Sequence, residues 1–198
     1  MKNGIRIIAI TSSPFIRQNI IKPKPDKKQA NKKNKVLIIG VIGRKNTTEG
    51  ILSKYIDING NDATDKIIRM IKYSRFFSQI KLIALNGIAI AGLNIVDIYK
   101  IKKQLDIDAV VITRDRPRPG KLINALKKFG KGNKKSIKNQ ISIIKKYKKE
   151  NIYHEKFYIQ TLLELKDIKN IITSCTDLLR LSHLIARGVK TGESKGRI

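Results

Sequence analysis

The chain alternates between short β-branched apolar runs and segments whose apolar residues recur every three or four positions. Ile5–Ile10 reads as a buried strand, closed by the turn-forming stretch Thr-Ser-Ser-Pro-Phe. Lys35–Ile42 is a second run of strand length, and Ile51–Ile58 alternates as a half-exposed third strand does. Asn59-Gly60 then turns the chain. Asp62 stands as the N-cap of a helix, with Asp65 three positions on in capping-box spacing, and Ile67, Met70, Ile71 and Ser74 share one face of that helix. Lys81–Leu85 predicts a fourth strand, Val96–Leu105 a helix and Ala109–Arg114 a fifth strand. The chain turns helical again after Arg114–Leu122. Lys134–Glu150 predicts a helix with a stripe of Ile137, Ile141 and Ile144 among lysines. Phe157 opens a short strand leading into a helical start, and Asp177–Arg187 is a final helix with Gly188 placed to cap it. Three strands followed by alternating helix and strand predict an α/β layered fold, part antiparallel and part parallel.

A length of 198 residues suits a single domain spanning 1–198, with a Lys/Pro/Asn loop at 22–35 that lacks periodicity and is expected to be mobile. Charge changes the picture more than length does. Against 43 Lys+Arg stand 15 Asp+Glu, a net charge of +28. Such a surface gains free energy by displacing counterions from a polyanion, so DNA or RNA is the expected partner. A/T-rich codon usage would raise Lys, Asn and Ile together, but it should also supply Asp and Glu, and it leaves the acidic deficit unexplained. One cysteine, Cys175, excludes an internal disulfide framework and suits a reducing compartment; its apolar helical surroundings predict a core residue. No stretch approaches the ~20 apolar residues of a membrane span, so a soluble cytoplasmic protein with no membrane partner is expected.

In open α/β sheets, ligands gather beyond the carboxyl ends of parallel strands. The segments Ile8–Ser13, Ile83–Gly87 and Val110–Pro119 end there. The last contributes Arg114, Arg116 and Arg118 on a proline-stiffened loop, suited to bidentate phosphate contacts. On the final helix Arg180, His183 and Arg187 share a face, with His183 a candidate base or phosphate contact. The lysine-rich helix at 134–150 is open to three readings: a solvated face, a nucleic-acid rim or a membrane-surface helix. The chain lacks Cys/His metal spacing, a phosphate loop, a dinucleotide glycine pattern and a nucleophile elbow.

Five stretches, IRIIAITSSPF, NGNDATDKIIRMIKYSRF, LNGIAIAGLNIVDI, LLRLSHLIARGV and GESKGR, resemble in order the archaeal endonuclease dU family. That family is similar to endonuclease V, and the resemblance implies an α/β, RNase H-like fold: a mixed five-stranded sheet flanked by helices. It also implies metal-dependent cleavage near deaminated bases such as uracil or inosine in DNA. Mg²⁺ or Mn²⁺ would be held by carboxylates at strand ends, since such hard ions prefer oxygen ligands. Asp62, Thr64, Asn94, Asp97, Arg180, His183, Arg187, Glu193 and Ser194 match the family's residue types. The paired aspartates that end the family's first strand are here Thr11 and Ser12. The Asp-Gly at its fourth strand end is Asn86-Gly87, and the Asp-Gly before the capped helix is Asn59-Gly60. Two readings follow. One is a weak or altered endonuclease, with Asp97, His183, Glu193 and Asn86 as catalytic residues, Asp97, Asn86 and Thr11 as metal ligands, and Arg114, Arg116, Arg118, Arg180 and Arg187 on nucleic acid. The other is a non-catalytic nucleic-acid binder. A third, a protein-binding domain whose charge only reflects composition, would show binding indifferent to salt.

Overall fold

The computed structural model describes residues 4–15, 34–45, 47–147, 151–154 and 156–194. Most of the basic loop expected at 22–35 lies outside the described residues. The elements are β1 (Arg6–Ser12), β2 (Lys35–Arg44), β3 (Thr47–Asp57), α1 (Ala63–Lys72), β4 (Ile80–Asn86), β5 (Ala89–Ile90), β6 (Asn94–Ile95), α2 (Ile98–Leu105), β7 (Asp108–Thr113), α3 (Pro119–Phe129), α4 (Lys134–Tyr147), β8 (Asn151–His154), β9 (Phe157–Thr161), α5 (Leu165–Lys169) and α6 (Ile172–Thr191). The main sheet runs β3-β2-β1-β4-β7-β9-β8, with β1, β4 and β7 mutually parallel and the other pairings antiparallel.

The central strands read as unbroken apolar runs because both their faces are covered. Ile8, Ile10, Ile83, Leu85 and Val111 point to one layer, with Ile67 and Ile71 of α1, Ile98 and Ile101 of α2, and Ile143, Ile144 and Tyr147 of α4. Ile7, Ala9, Leu82, Ala84, Val110 and Ile112 point to the other, against Cys175, Leu178, Leu179 and Ala186 of α6. This is the mixed, helix-flanked layout expected, with two additions. Among the described residues the sheet has seven strands, not five, because β9 and β8 fold back antiparallel onto the outer edge of β7. A two-stranded hairpin, β5–β6, sits between β4 and α2.

Boundaries moved where long-range pairing outweighed local signals. β1 continues through Thr11 and Ser12, which pair with Ile39 and Ile38 of β2 and so are strand rather than turn. β3 begins at Thr47, paired with Arg44, before its alternating pattern starts. The last helix passes Gly188 and ends at Thr191, with Gly192 in the left-handed region at φ 79°. Asp62 does not cap α1 with its side chain. Its Oδ1 accepts instead from the Asp57 N–H (3.1 Å) and from Asn94 Nδ2 (2.7 Å), while Asn94 Oδ1 accepts from the Ala63 N–H (3.0 Å). A residue 31 positions away thus satisfies an orphan donor of the first helical turn. In α4 the buried stripe is Gln140, Ile143, Ile144 and Tyr147, rotated from the expected one, and Ile137 and Ile141 are only half-buried.

Candidate nucleic-acid interface at the sheet end

Register places the motif residues. Ile10 pairs with Leu85, Leu85 with Val111 and Asn86 with Ile112, so Thr11 and Asn86 lie at the same, carboxyl end of adjacent parallel strands. Because β2 and β3 each reverse direction, the end of β3 and the Asn59-Gly60 turn come to that end too. Side-chain alternation then sorts the residues by face. Thr11 follows Ile7 and Ala9 onto the α6 face, and Asn86 follows Leu82 and Ala84.

Thr11 is buried, and its Oγ1 lies 3.0 Å from Ser182 Oγ of α6. The single hydroxyl proton of Ser182 goes to the Ile39 carbonyl at 2.7 Å, so Thr11 is the donor to Ser182. A hydroxyl chain thus ties β1 and β2 to α6. Asn86 is exposed and shares a shallow recess of about 50 Å³ with Arg114, Thr176 and Leu179. Gly87, with φ 81°, turns the chain beside a second, larger apolar recess of about 190 Å³ whose walls include Ile88, Pro117, Arg118, Leu122 and Tyr147.

The arginine loop follows β7 at this same end, and Arg114, Arg116 and Arg118 are all exposed. Arg180 is exposed and His183 and Arg187 are half-buried on α6, which packs along β1 and β2. The arginine loop belongs to the sheet end that carries Thr11 and Asn86. Asp97, at the start of α2, lies at that end too. It is the N-cap of α2, on the opposite face, and its Oδ1 accepts from the Tyr99 (3.0 Å) and Lys100 (3.1 Å) N–H groups. Its own N–H donates to Thr64 Oγ1 at 3.0 Å. Glu193 is exposed beyond the end of α6, and its carbonyl accepts from Thr191 Oγ1.

A divalent ion of the Mg²⁺ or Mn²⁺ kind needs converging anionic oxygens. Among the described residues no three His, Cys, Asp or Glu side chains converge to hold one. Of the sequence-derived ligands, Thr11 is buried in its hydroxyl chain, Asn86 is neutral, and Asp97 caps a helix on the other face. These residues do not fit the ion. Sequence reasoning also missed Ser182, although it interrupts the apolar face Cys175, Leu178, Leu179, Ala186 at helical spacing, which marks a polar group facing the core. Cys175 is the core residue expected, and burial pushes its thiol from 9.0 up to about 12, the opposite of nucleophile activation.

A mixed sheet flanked by helices, with Thr11 and Asn86 at the carboxyl ends of β1 and β4, defines an α/β layered scaffold. The Endonuclease dU family model matches residues 3–190, and the chain belongs to that family. A UPF0215 protein of Methanosarcina mazei is 35% identical over 205 residues, covering 100% of this chain and 96% of the relative. A solved protein of unknown function from Archaeoglobus fulgidus has a TM-score of 0.75 at 27% identity, covering 93% of this chain and 98% of that one. Human ENDOV is a more distant likeness, with a TM-score of 0.48 at 8% identity over 90% of this chain and 81% of that one. No helix among the described residues is long and apolar enough to cross a membrane.

Proposed function

We propose that this protein is a nucleic-acid-binding member of its family whose sheet end engages phosphates through arginine and amide groups rather than through a metal ion. The observation that carries this reading is a sheet end where Thr11 is tied into a hydroxyl chain with Ser182, Asn86 sits beside Arg114, and no cluster of metal-binding side chains converges among the described residues. Bringing a divalent cation among Arg114, Arg116 and Arg118, against which the loop sets the single acid Asp115, is electrostatically unfavourable, whereas a phosphate in the same place is attracted. The backbone is held by the arginine loop, with Arg180, His183 and Arg187 as a second set of contacts on α6. A net charge of +28 adds long-range attraction. The protein acts on DNA or RNA, with the cytoplasm its proposed location.

The second reading, cleavage near a deaminated base with Mg²⁺ or Mn²⁺, is favoured by the apolar recess beside Gly87, whose walls suit the face of a base. One experiment separates the two. Binding of labelled uracil- or inosine-containing DNA is measured across a salt series, and strand cleavage is assayed in excess Mg²⁺ and Mn²⁺. The expected outcome is affinity that falls on the order of a thousandfold from low to moderate salt, with no chelator-sensitive cleavage. Cleavage abolished by chelator would overturn the first reading in favour of the second, and salt-indifferent binding would overturn both.

A further inference from the structure

Helix α6 packs on β1 and β2 rather than on the edge strand β3, so among the described residues the α6-side face of β3 is left open. Between that face and the last turn of α6 runs a groove of about 630 Å³ at the same sheet end. Six of its residues decide its chemistry: Ser13, Phe15, Lys35, Tyr55, Val189 and Lys190. Tyr55 is 60% exposed and Val189 65%, both unusual for apolar-bodied side chains so close to a core. Lys35 and Lys190, one on each bank, are exposed. Ser13 is 1% exposed, and its Oγ has no hydrogen-bond partner among the described residues, an arrangement that costs stability unless something else supplies one.

We propose that this groove binds an unpaired segment of nucleic acid, resting on the nucleic-acid reading above and extending it to a substrate class. An exposed aromatic ring offers a stacking surface that any base can use, and an ammonium group on each bank offers a contact to backbone phosphates. A duplex hides its base faces and cannot use Tyr55, whereas a single strand presents them. The buried Ser13 hydroxyl underlies the same floor and gains a partner when a base edge or sugar displaces water above it. Charge complementarity selects this occupant over an apolar peptide, since both banks carry lysine and the whole chain is strongly cationic.

The test is fluorescence anisotropy of a labelled short oligo-dT with the full chain, at several salt concentrations, with matched duplex DNA alongside. Tyr55→Ala should weaken oligo-dT binding about tenfold with an unchanged salt slope, Tyr55→Phe should restore it, and duplex affinity should not move. Lys190→Gln should instead lower the salt slope by about 0.7. Val189→Glu, at an exposed position that the fold tolerates, should weaken oligo-dT binding by placing a like charge beside the backbone. If the wild type binds nucleic acid while Tyr55→Ala and Val189→Glu bind oligo-dT as it does, the groove proposal is overturned and the arginine-based reading stands. If the wild type binds neither probe at low salt, both fall.

Discussion

At the scale of single residues, the consequential position is Thr11. A buried strand-end acid would need a cation or several donors to stay ionised there. Ser182 has already committed its proton to the Ile39 carbonyl, so a carboxylate at position 11 would meet lone pairs rather than a donor. The threonine suits this site because it can give a proton where an aspartate could only accept. Ser182→Ala should therefore cost about 1–2 kcal/mol in urea unfolding, because it leaves the Thr11 hydroxyl buried without an acceptor. Thr11→Val should cost less, since Ser182 keeps its bond to Ile39. A Ser182→Ala protein as stable as the wild type would show that the hydroxyl chain adds nothing. The same logic makes Asp97 legible: expected from sequence as a metal ligand, it is bound to the first turn of α2 as a cap.

At the scale of elements, α4 is the piece whose role the lysine pattern obscured. Its exposed faces carry the charge, but it is anchored by Tyr147, whose hydroxyl accepts from the Ile98 N–H at 2.7 Å and donates to the Val96 carbonyl at 3.1 Å. Gln140 adds a bond from Nε2 to the Gly60 carbonyl at 2.9 Å, while its Oε1 has no partner. These contacts pin the basic helix to the start of α2 and to the Asn59-Gly60 turn, so a lysine-rich surface is held rigidly next to the sheet end. Tyr147→Phe keeps the ring and removes both bonds. It should destabilise the protein by about 1–3 kcal/mol and raise hydrogen exchange at the Ile98 amide, which loses its acceptor. Unchanged protection at Ile98 would mean that water replaces the phenol without penalty.

At the scale of the whole molecule, charge is the governing quantity. With 15 acidic residues against 43 basic ones, ion pairing cannot neutralise the surface. The pairs that do form, such as Lys100 with Asp65 at 2.7 Å and Lys166 with Glu164 at 2.6 Å, join partly or fully exposed groups and are worth little each. Mutual repulsion among the remaining cations opposes the compact state, so added salt should stabilise the fold rather than weaken it. Each kcal/mol of relief corresponds to about 2–4 °C in Tm for a chain of this size. Calorimetry at low and moderate salt should show a rise of that order, and a short polyanion should give a larger one at the same ionic strength. A Tm that falls with salt would show that attractive pairs outweigh the repulsion.

The order of strands and helices, the basic surface and the absence of acids at Thr11, Ser12 and Asn86 were legible in the sequence, because each is a property of composition or of short-range period. Periodicity also indicated which side of a strand or helix is buried, and it did so correctly for α1 and for Cys175. It could not say what lies on the far side of that burial. The cap that Asn94 provides for α1, the Thr11–Ser182–Ile39 chain, the two strands added beyond β7 and the separation of Asp97 from Asn86 across the sheet all depend on partners 31 to 171 positions apart or on edge pairing. Such contacts are selected by which surfaces remain unpaired once the core has packed. Only the assembled tertiary structure decides that.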